Sequence, residues 1–252
     1  MKTRLVALAA CLLLTPTGFA ASPAPTAIKA AIADPARSAE EVAHETQRKP
    51  AEMLLFAQIK PGAKVMDLIP GGGYFTRLFA KAVGPEGWVY AYQPSELDGF
   101  SKGKPAKILG VAKAYPNVSV IHAPVNNLSA PELLDVVWTA QNYHDLKDDF
   151  FKPADTTMVN KAVFQALKPG GLYIVLDHAA EKGSGLRDTN TLHRIDEAVV
   201  KSEVEAAGFE FVAESKALRN PADPKTANVF DKSIRGTTDQ FVYKFRKPLK
   251  AK

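Results

Sequence analysis

Beyond Cys11 the chain contains no cysteine. Disulfides, a thiol nucleophile and a thiolate metal site are therefore excluded from everything downstream of residue 11. Long apolar runs are also missing after residue 20, so no membrane-spanning helix is expected there. Charge of either sign never accumulates in a block. The formal net charge is +5, and neither a basic helix nor aromatic–basic interleaving is present. Such mild basicity serves solubility rather than nucleic-acid binding, and no nucleic-acid partner is expected.

The start of the chain reads as a targeting segment. Lys2 and Arg4 precede an apolar stretch over 5–14, and Gly18-Phe19-Ala20 ends in small residues. This is the pattern of a secretory signal peptide over 1–20, too short to anchor the protein stably in a membrane. Cys11 lies inside the apolar run, which continues past it, so it is not taken as a lipid-attachment site. The expected location is periplasmic or secreted after cleavage. Residues 21–37, opening Ala-Ser-Pro-Ala-Pro-Thr, are expected to be a flexible leader, and 38–252 a single domain.

What the chain does have is strands alternating with helices. Apolar strands are expected at 65–69, 88–93, 118–123, 133–139, 172–176, 209–213 and 240–245. Helices are expected at 38–49, after a Ser38/Glu41 capping box, and at 51–59, 75–83, 104–115, 156–167 and 192–207. Alternation of this kind implies a parallel sheet covered by helices on both faces. No helix pattern lies between the last two strands, so the seventh is expected antiparallel to the sixth. The 216–238 connection is long, which marks functional or disordered segments.

The most informative stretch is Val65-Met66-Asp67-Leu68-Ile69-Pro70-Gly71-Gly72-Gly73-Tyr74-Phe75. A buried strand runs into three glycines, which let main chain approach a ligand, and then into a helix. Together with Asp135-Val136-Val137, Tyr143-His144-Asp145-Leu146 and Leu167-Lys168-Pro169-Gly170-Gly171-Leu172, it resembles a class I S-adenosylmethionine-dependent methyltransferase over residues 59–245. More narrowly, Arg48-Lys49-Pro50, Pro70-Gly71-Gly72-Gly73-Tyr74 and Asn142-Tyr143-His144-Asp145 resemble a group of predicted secreted bacterial methyltransferases. The resemblance implies an α/β fold, a Rossmann-like seven-stranded mostly parallel sheet with an antiparallel last strand. It also implies S-adenosyl-L-methionine as cofactor and a small-molecule or other soluble acceptor.

Carried over position by position, the resemblance implies cofactor contacts from Asp67, Gly71, Gly72, Gly73, Gln93, Ala123, Asn126 and Gln141. Ile69 stands where the family's first glycine would be, Pro70 has no N–H to offer, and Gln93 ends strand two where the family has a ribose-binding acid. His144 is the candidate general base, with a pKa near neutrality, and Tyr143 the candidate wall of the acceptor site. Asp177, His178 and His193 invite a metal reading. The 178-to-193 spacing matches no ligand pattern, however, and no metal site is expected. His44 and Arg48 lie one turn apart on the N-terminal helix, which the resemblance implies can close over the cofactor, and both fit a solvated helix face better. Arg235 fits either an exposed turn or a contact to an anionic substrate group. Two alternatives remain open: a ligand-binding protein that keeps the fold without transfer, and a nicotinamide-dependent oxidoreductase, whose third fingerprint glycine is missing.

Overall fold

The computed structural model describes residues 23–249, apart from 103, 105 and 153. The expected signal peptide lies outside the described residues. Four helices come first: α1 Pro23–Ile32, α2 Ala39–Ala43, α3 Glu45–Arg48 and α4 Pro50–Phe56. Then follow β1 Lys64–Leu68, α5 Tyr74–Val83, β2 Trp88–Pro94, α6 Ile108–Ala114, β3 Val118–Ala123 and β4 Leu134–Ala140. The remainder is α7 Thr156–Ala166, β5 Leu167–His178, α8 Thr189–Leu192, α9 Glu197–Ala206, β6 Glu210–Ser215 and β7 Gln240–Arg246.

The sheet runs β3-β2-β1-β4-β5-β7-β6. β1 to β5 pair in parallel, and β7 is antiparallel to both β5 and β6, as the sequence led us to expect. Side chains alternate between the two faces of each strand. Val136 and Trp138 of β4 face one helical layer and Val137 the other, while Ile174 and Val175 of β5 divide in the same way. Trp138 anchors the first layer, its ring 4.7 Å from Phe75 and 5.6 Å from Phe79 of α5.

Three expectations need correction. Residues 23–32 are not a flexible leader but helix α1, which buries Ile28 and Ala31 in the layer beneath α5. Proline is compatible with a first helical turn because its missing N–H has no intrahelical partner there. Next, the helix expected over 192–207 is two pieces. His193 adopts φ +52°, Arg194 turns inward, and Asp196 caps α9 by accepting from Ala198 N. Last, the Lys168-Pro169-Gly170-Gly171 turn is absorbed as a bulge within β5, between the pairs Leu134–Leu167 and Val136–Leu172.

The 216–239 connection carries no helix or strand among the described residues, yet it is held in place. Arg194, fully buried, forms a two-pronged pair with Asp223 at 2.7 and 3.1 Å.

Candidate functional site

The sheet order reverses between β1 and β4, and at such a switch point a crevice opens beyond the carboxyl ends of the strands. Three adjoining chambers lie there, with Gln141 a wall of each. The first, about 560 Å³, lies between the Ile69–Gly72 turn, Gln141 and Asn142, and Arg48. The second, about 620 Å³, lies between Arg48, His178, Phe230 and Arg235. The third, about 350 Å³, is walled by His144, His178 and His193 and lipped by Phe100, Phe150 and Phe230. Each falls within the roughly 300–1,000 Å³ common to ligand pockets.

The turn takes a left-handed bend at its first residue. Ile69 takes φ +61°, a left-handed conformation in which a β-branched residue is rare. The strain costs about 1–2 kcal/mol. Ile69 is only 6% exposed, and burying such a side chain contributes about 1.5–3 kcal/mol, which outweighs the strain. The sheet also grips the residue: Ile69 N donates to Tyr92 O at 2.9 Å, and Asn142 Nδ2 donates to Ile69 O at 3.0 Å.

The three glycines then divide by role. A Cβ at Gly71 or Gly72 would meet nothing within 4 Å, so packing does not demand glycine at either. Both face the first chamber. Gly73 starts α5 at φ +81°, and its Cβ would lie 2.6 Å from Val111 Cγ2. Packing by itself therefore accounts for glycine at Gly73, which is not among the residues lining the first chamber.

Asp67 is not in the cleft either. It is buried beneath the turn, where the Thr76 hydroxyl donates to Oδ2 at 2.6 Å, tying β1 to α5. Burial pushes its carboxyl up to about 7 against the pull of the Thr76 bonds. A folded pKa above the ordinary carboxylate value means that the native state holds this proton more tightly than the unfolded chain. The group's stabilising contribution is therefore complete below about pH 4 and is lost as the pH rises through about 7. Asp67→Asn cannot titrate. Melting curves from pH 4.5 to 8 should show the wild type losing stability relative to the variant as pH rises. A flat difference would contradict this assignment.

The ribose side also departs from expectation. Gln93 is buried, and neither it, Ala123 nor Asn126 lines a chamber. Asn126 Oδ1 instead accepts from Asp155 N at 2.8 Å. Glu96, the nearest acid after β2, accepts from Val125 N at 3.0 and 3.2 Å.

At the far side, Tyr143 is fully buried under the sheet rather than walling the acceptor. Its hydroxyl donates to Glu203 and accepts from Asn160, each at 2.8 Å. His144 does reach the third chamber. Its Nδ1 lies 2.8 Å from Asp177 Oδ1, its backbone N donates to Asp177 Oδ2 at 2.8 Å, and its Nε2 lies 3.1 Å from Asp145 Oδ1. Burial alone would lower its pKa, but Asp177 and Asp145 raise it to about 10. His144 therefore holds its proton more tightly than the near-neutral base expected of it. His178 is the opposite case. Burial drops its pKa to about 3, so it is neutral, with Nδ1 2.8 Å from Thr238 Oγ1.

His44 and Arg48 line the cleft instead of a solvated face, and Arg48 stacks 4.5 Å over the Tyr74 ring. Arg77 docks α2 on the turn by bonding Glu41 at 2.8 Å and Gly72 O at 2.9 Å. Phe100, Phe150 and Phe230 were missed by sequence reading. Their signal in the sequence is slight: Phe100 and Phe230 are single aromatics in polar connections, and Phe150 is half of a Phe150-Phe151 pair.

The residues at the turn fit a cofactor whose amino-acid end packs on main chain. Gly71 and Gly72 leave the needed space, and the Arg48 cation stands beside it.

The sequence matches no family model and no curated protein. The fold matches many solved structures. A methyltransferase dependent on S-adenosylmethionine from Aquifex aeolicus is 19% identical, with a TM-score of 0.56 over 88% of this chain and 98% of that one. The [4+2]-cyclase SpnF is 16% identical, with a TM-score of 0.58 over 89% and 93%. Fibrillarin from Aeropyrum pernix, crystallised with natively bound S-adenosyl-L-methionine, is 16% identical, with a TM-score of 0.50 over 80% and 76%. The chain has the fold that these proteins share.

Proposed function

We propose that the protein is an S-adenosylmethionine-dependent methyltransferase acting on a small-molecule or other soluble acceptor outside the cytoplasm. One observation carries this reading: the Ile69–Gly72 turn holds a glycine-like path and leaves open space beside Gly71 and Gly72 at the switch point. The cofactor supplies an electrophilic methyl group on sulfur, so the chain's task is to place it and the acceptor. Gly71, Gly72 and Arg48 hold the cofactor's amino-acid end. The acceptor enters between Phe100, Phe150 and Phe230. Neutral His178, with Nδ1 engaged by Thr238, presents Nε2 to accept a hydrogen bond from it and so orients its attacking atom. The location outside the cytoplasm rests on the 1–20 pattern and on the resemblance to the secreted bacterial group. No helix among the described residues is long and apolar enough to cross a membrane.

A second reading has its own support. No carboxylate stands at the end of β2 to hold a ribose, and the shared fold includes a protein named as a cyclase, so fold by itself does not specify methyl transfer. A ligand-binding protein without transfer would look the same at the turn.

Calorimetric titration separates the readings. S-adenosylmethionine and its demethylated product should each bind with a Kd below about 100 μM, or about −5.5 kcal/mol. Release of demethylated cofactor with a panel of aromatic acceptors completes the case. No binding at that concentration ends the methyltransferase proposal, and binding without turnover favours the second reading.

A further inference from the structure

We infer that His144, Asp145 and His193 form a binding site for one divalent transition-metal ion beside the aromatic lip of the third chamber. The inference concerns a site separate from the cofactor turn and does not depend on the cofactor binding there.

The ligand atoms of these three residues all lie within 4.8 Å of one another. His144 Nε2 is 3.1 Å and His193 Nδ1 is 3.7 Å from the same oxygen, Asp145 Oδ1. Two ligands about 2.1 Å from a shared ion, at a tetrahedral angle, stand about 3.4 Å apart. The observed separations bracket that value.

His193 supplies an independent sign. Its Nδ1 is buried and has no hydrogen-bond partner, although two carboxylates face it: Asp145 Oδ1 at 3.7 Å and Asp148 Oδ2 at 3.8 Å. Both distances are too long for a hydrogen bond. Asp148 is itself only 2% exposed, and its Oδ1 is also buried without a partner. The buried His193 nitrogen is thus held just beyond bonding distance of two carboxylates and is poorly satisfied by either. A cation between it, Asp145 and His144 would give it a partner.

Outer support is present as well. Asp177, fully buried, engages His144 Nδ1 at 2.8 Å, which fixes the ring with Nε2 towards Asp145. A carboxylate behind a histidine is the usual device for orienting a metal-ligating imidazole. His144 binds the ion as a neutral imidazole, its Nε2 proton passing to solvent as the metal enters. Two imidazoles and one carboxylate suit zinc, iron(II), cobalt or nickel better than magnesium or calcium, which prefer oxygen. Three protein ligands leave coordination positions for water or an anionic oxygen of a bound molecule.

The position explains why sequence spacing missed it. His144 and Asp145 belong to a 3-10 turn after β4, and His193 to the end of α8. The three meet only because β4 and β5 are neighbours in the sheet, so the 178-to-193 interval carries no information. The proposed site departs from the expectation of no metal site.

The test uses untagged protein stripped with chelator and dialysed. Zn²⁺ calorimetry should give one equivalent, and Co²⁺ should develop a saturable visible absorption at the same stoichiometry. His193→Ala and Asp145→Asn should each weaken Zn²⁺ binding at least tenfold, and Asp177→Asn about 10–100-fold. His122→Ala, at an exposed histidine paired with Asp98, should leave it unchanged. Melting curves identify any variant that fails to fold, and His193 and Asp145, half-buried where His144 is buried, are the safer pair. Failure of Zn²⁺ and Co²⁺ to bind at one equivalent overturns the site. So does binding that both His193→Ala and Asp145→Asn leave intact. S-adenosylmethionine binding, measured separately on the stripped protein, does not bear on either outcome.

Discussion

Arg194→Met should lower the unfolding free energy by about 3–5 kcal/mol, the range for removing one partner of a buried ion pair. Arg194 and the Asp223 carboxylate are both fully shielded from solvent. Burial would raise the Asp223 pKa, but Arg194 and the backbone N–H groups of Lys225 and Asp239 hold it below the usual carboxylate range. Removing the guanidinium leaves that charge without a counter-ion. Arg194 also donates to Ala179 O and Ala227 O, each at 3.0 Å, so two carbonyls lose their donor. Asp223→Leu should cost a similar amount, because it strands the cation and the Asp239 N–H that Asp223 accepts at 2.6 Å. The double variant should be far less unstable than the sum of the singles, since neither charge is then unpaired. Urea unfolding of the four proteins measures this, and strict additivity would refute the account. Function should follow stability here: the pair secures the connection that brings Val229, Phe230 and Arg235 to the chambers, so ligand affinity should fall in Arg194→Met even where it is folded.

How far the sequence revealed this molecule depended on whether a feature was local. Alternation such as Val136-Val137-Trp138 requires a strand covered on both faces, and all seven strands and the antiparallel return were legible from such patterns. So was the Ser38/Glu41 capping box, which forms as its spacing implies. Helix α1 was hidden by composition: Pro23, Pro25 and Thr26 read as a leader, although Ile28 and Ala31 are one turn apart and both buried. Tyr143 and His144 were taken together as facing the acceptor. In a 3-10 turn, neighbours project in different directions, which sends Tyr143 under the sheet to Glu203 and His144 to the chamber. The protonation state of His144 depends on Asp177, 33 residues away and adjacent only through sheet order. The gain in basicity was thus invisible in a sequence window. Asp67, read from the sequence as a cofactor contact, is instead found buried and bonded to the Thr76 hydroxyl, a partner nine residues on that only the turn brings within reach.

The glycine turn gives the second large effect, and it divides adjacent residues. Gly72 has ordinary backbone geometry, open space where a side chain would go, and a place in the lining of the first chamber. Gly72→Leu should therefore change stability by no more than about 0.5 kcal/mol, as at an unconstrained surface position. The same leucine would project into the volume assigned to the cofactor. Affinity for S-adenosylmethionine should fall at least about 100-fold, equivalent to about 2.7 kcal/mol. Gly73→Ala should behave in reverse. Left-handed backbone costs an alanine about 1–2 kcal/mol, and forcing its Cβ to 2.6 Å from Val111 adds about 1–3 kcal/mol of overpacking. A loss of about 2–5 kcal/mol in stability should come with near-normal cofactor affinity at temperatures where the variant stays folded. Melting curves and calorimetry on the two variants read both halves. If Gly72→Leu binds the cofactor as tightly as the wild type, the chamber beside the turn is not where the ligand lies, whatever Gly73→Ala does to the fold. If Gly73→Ala is as stable as the wild type, the α5–α6 contact is not what demands glycine there, and the third glycine returns to candidacy as a ligand contact.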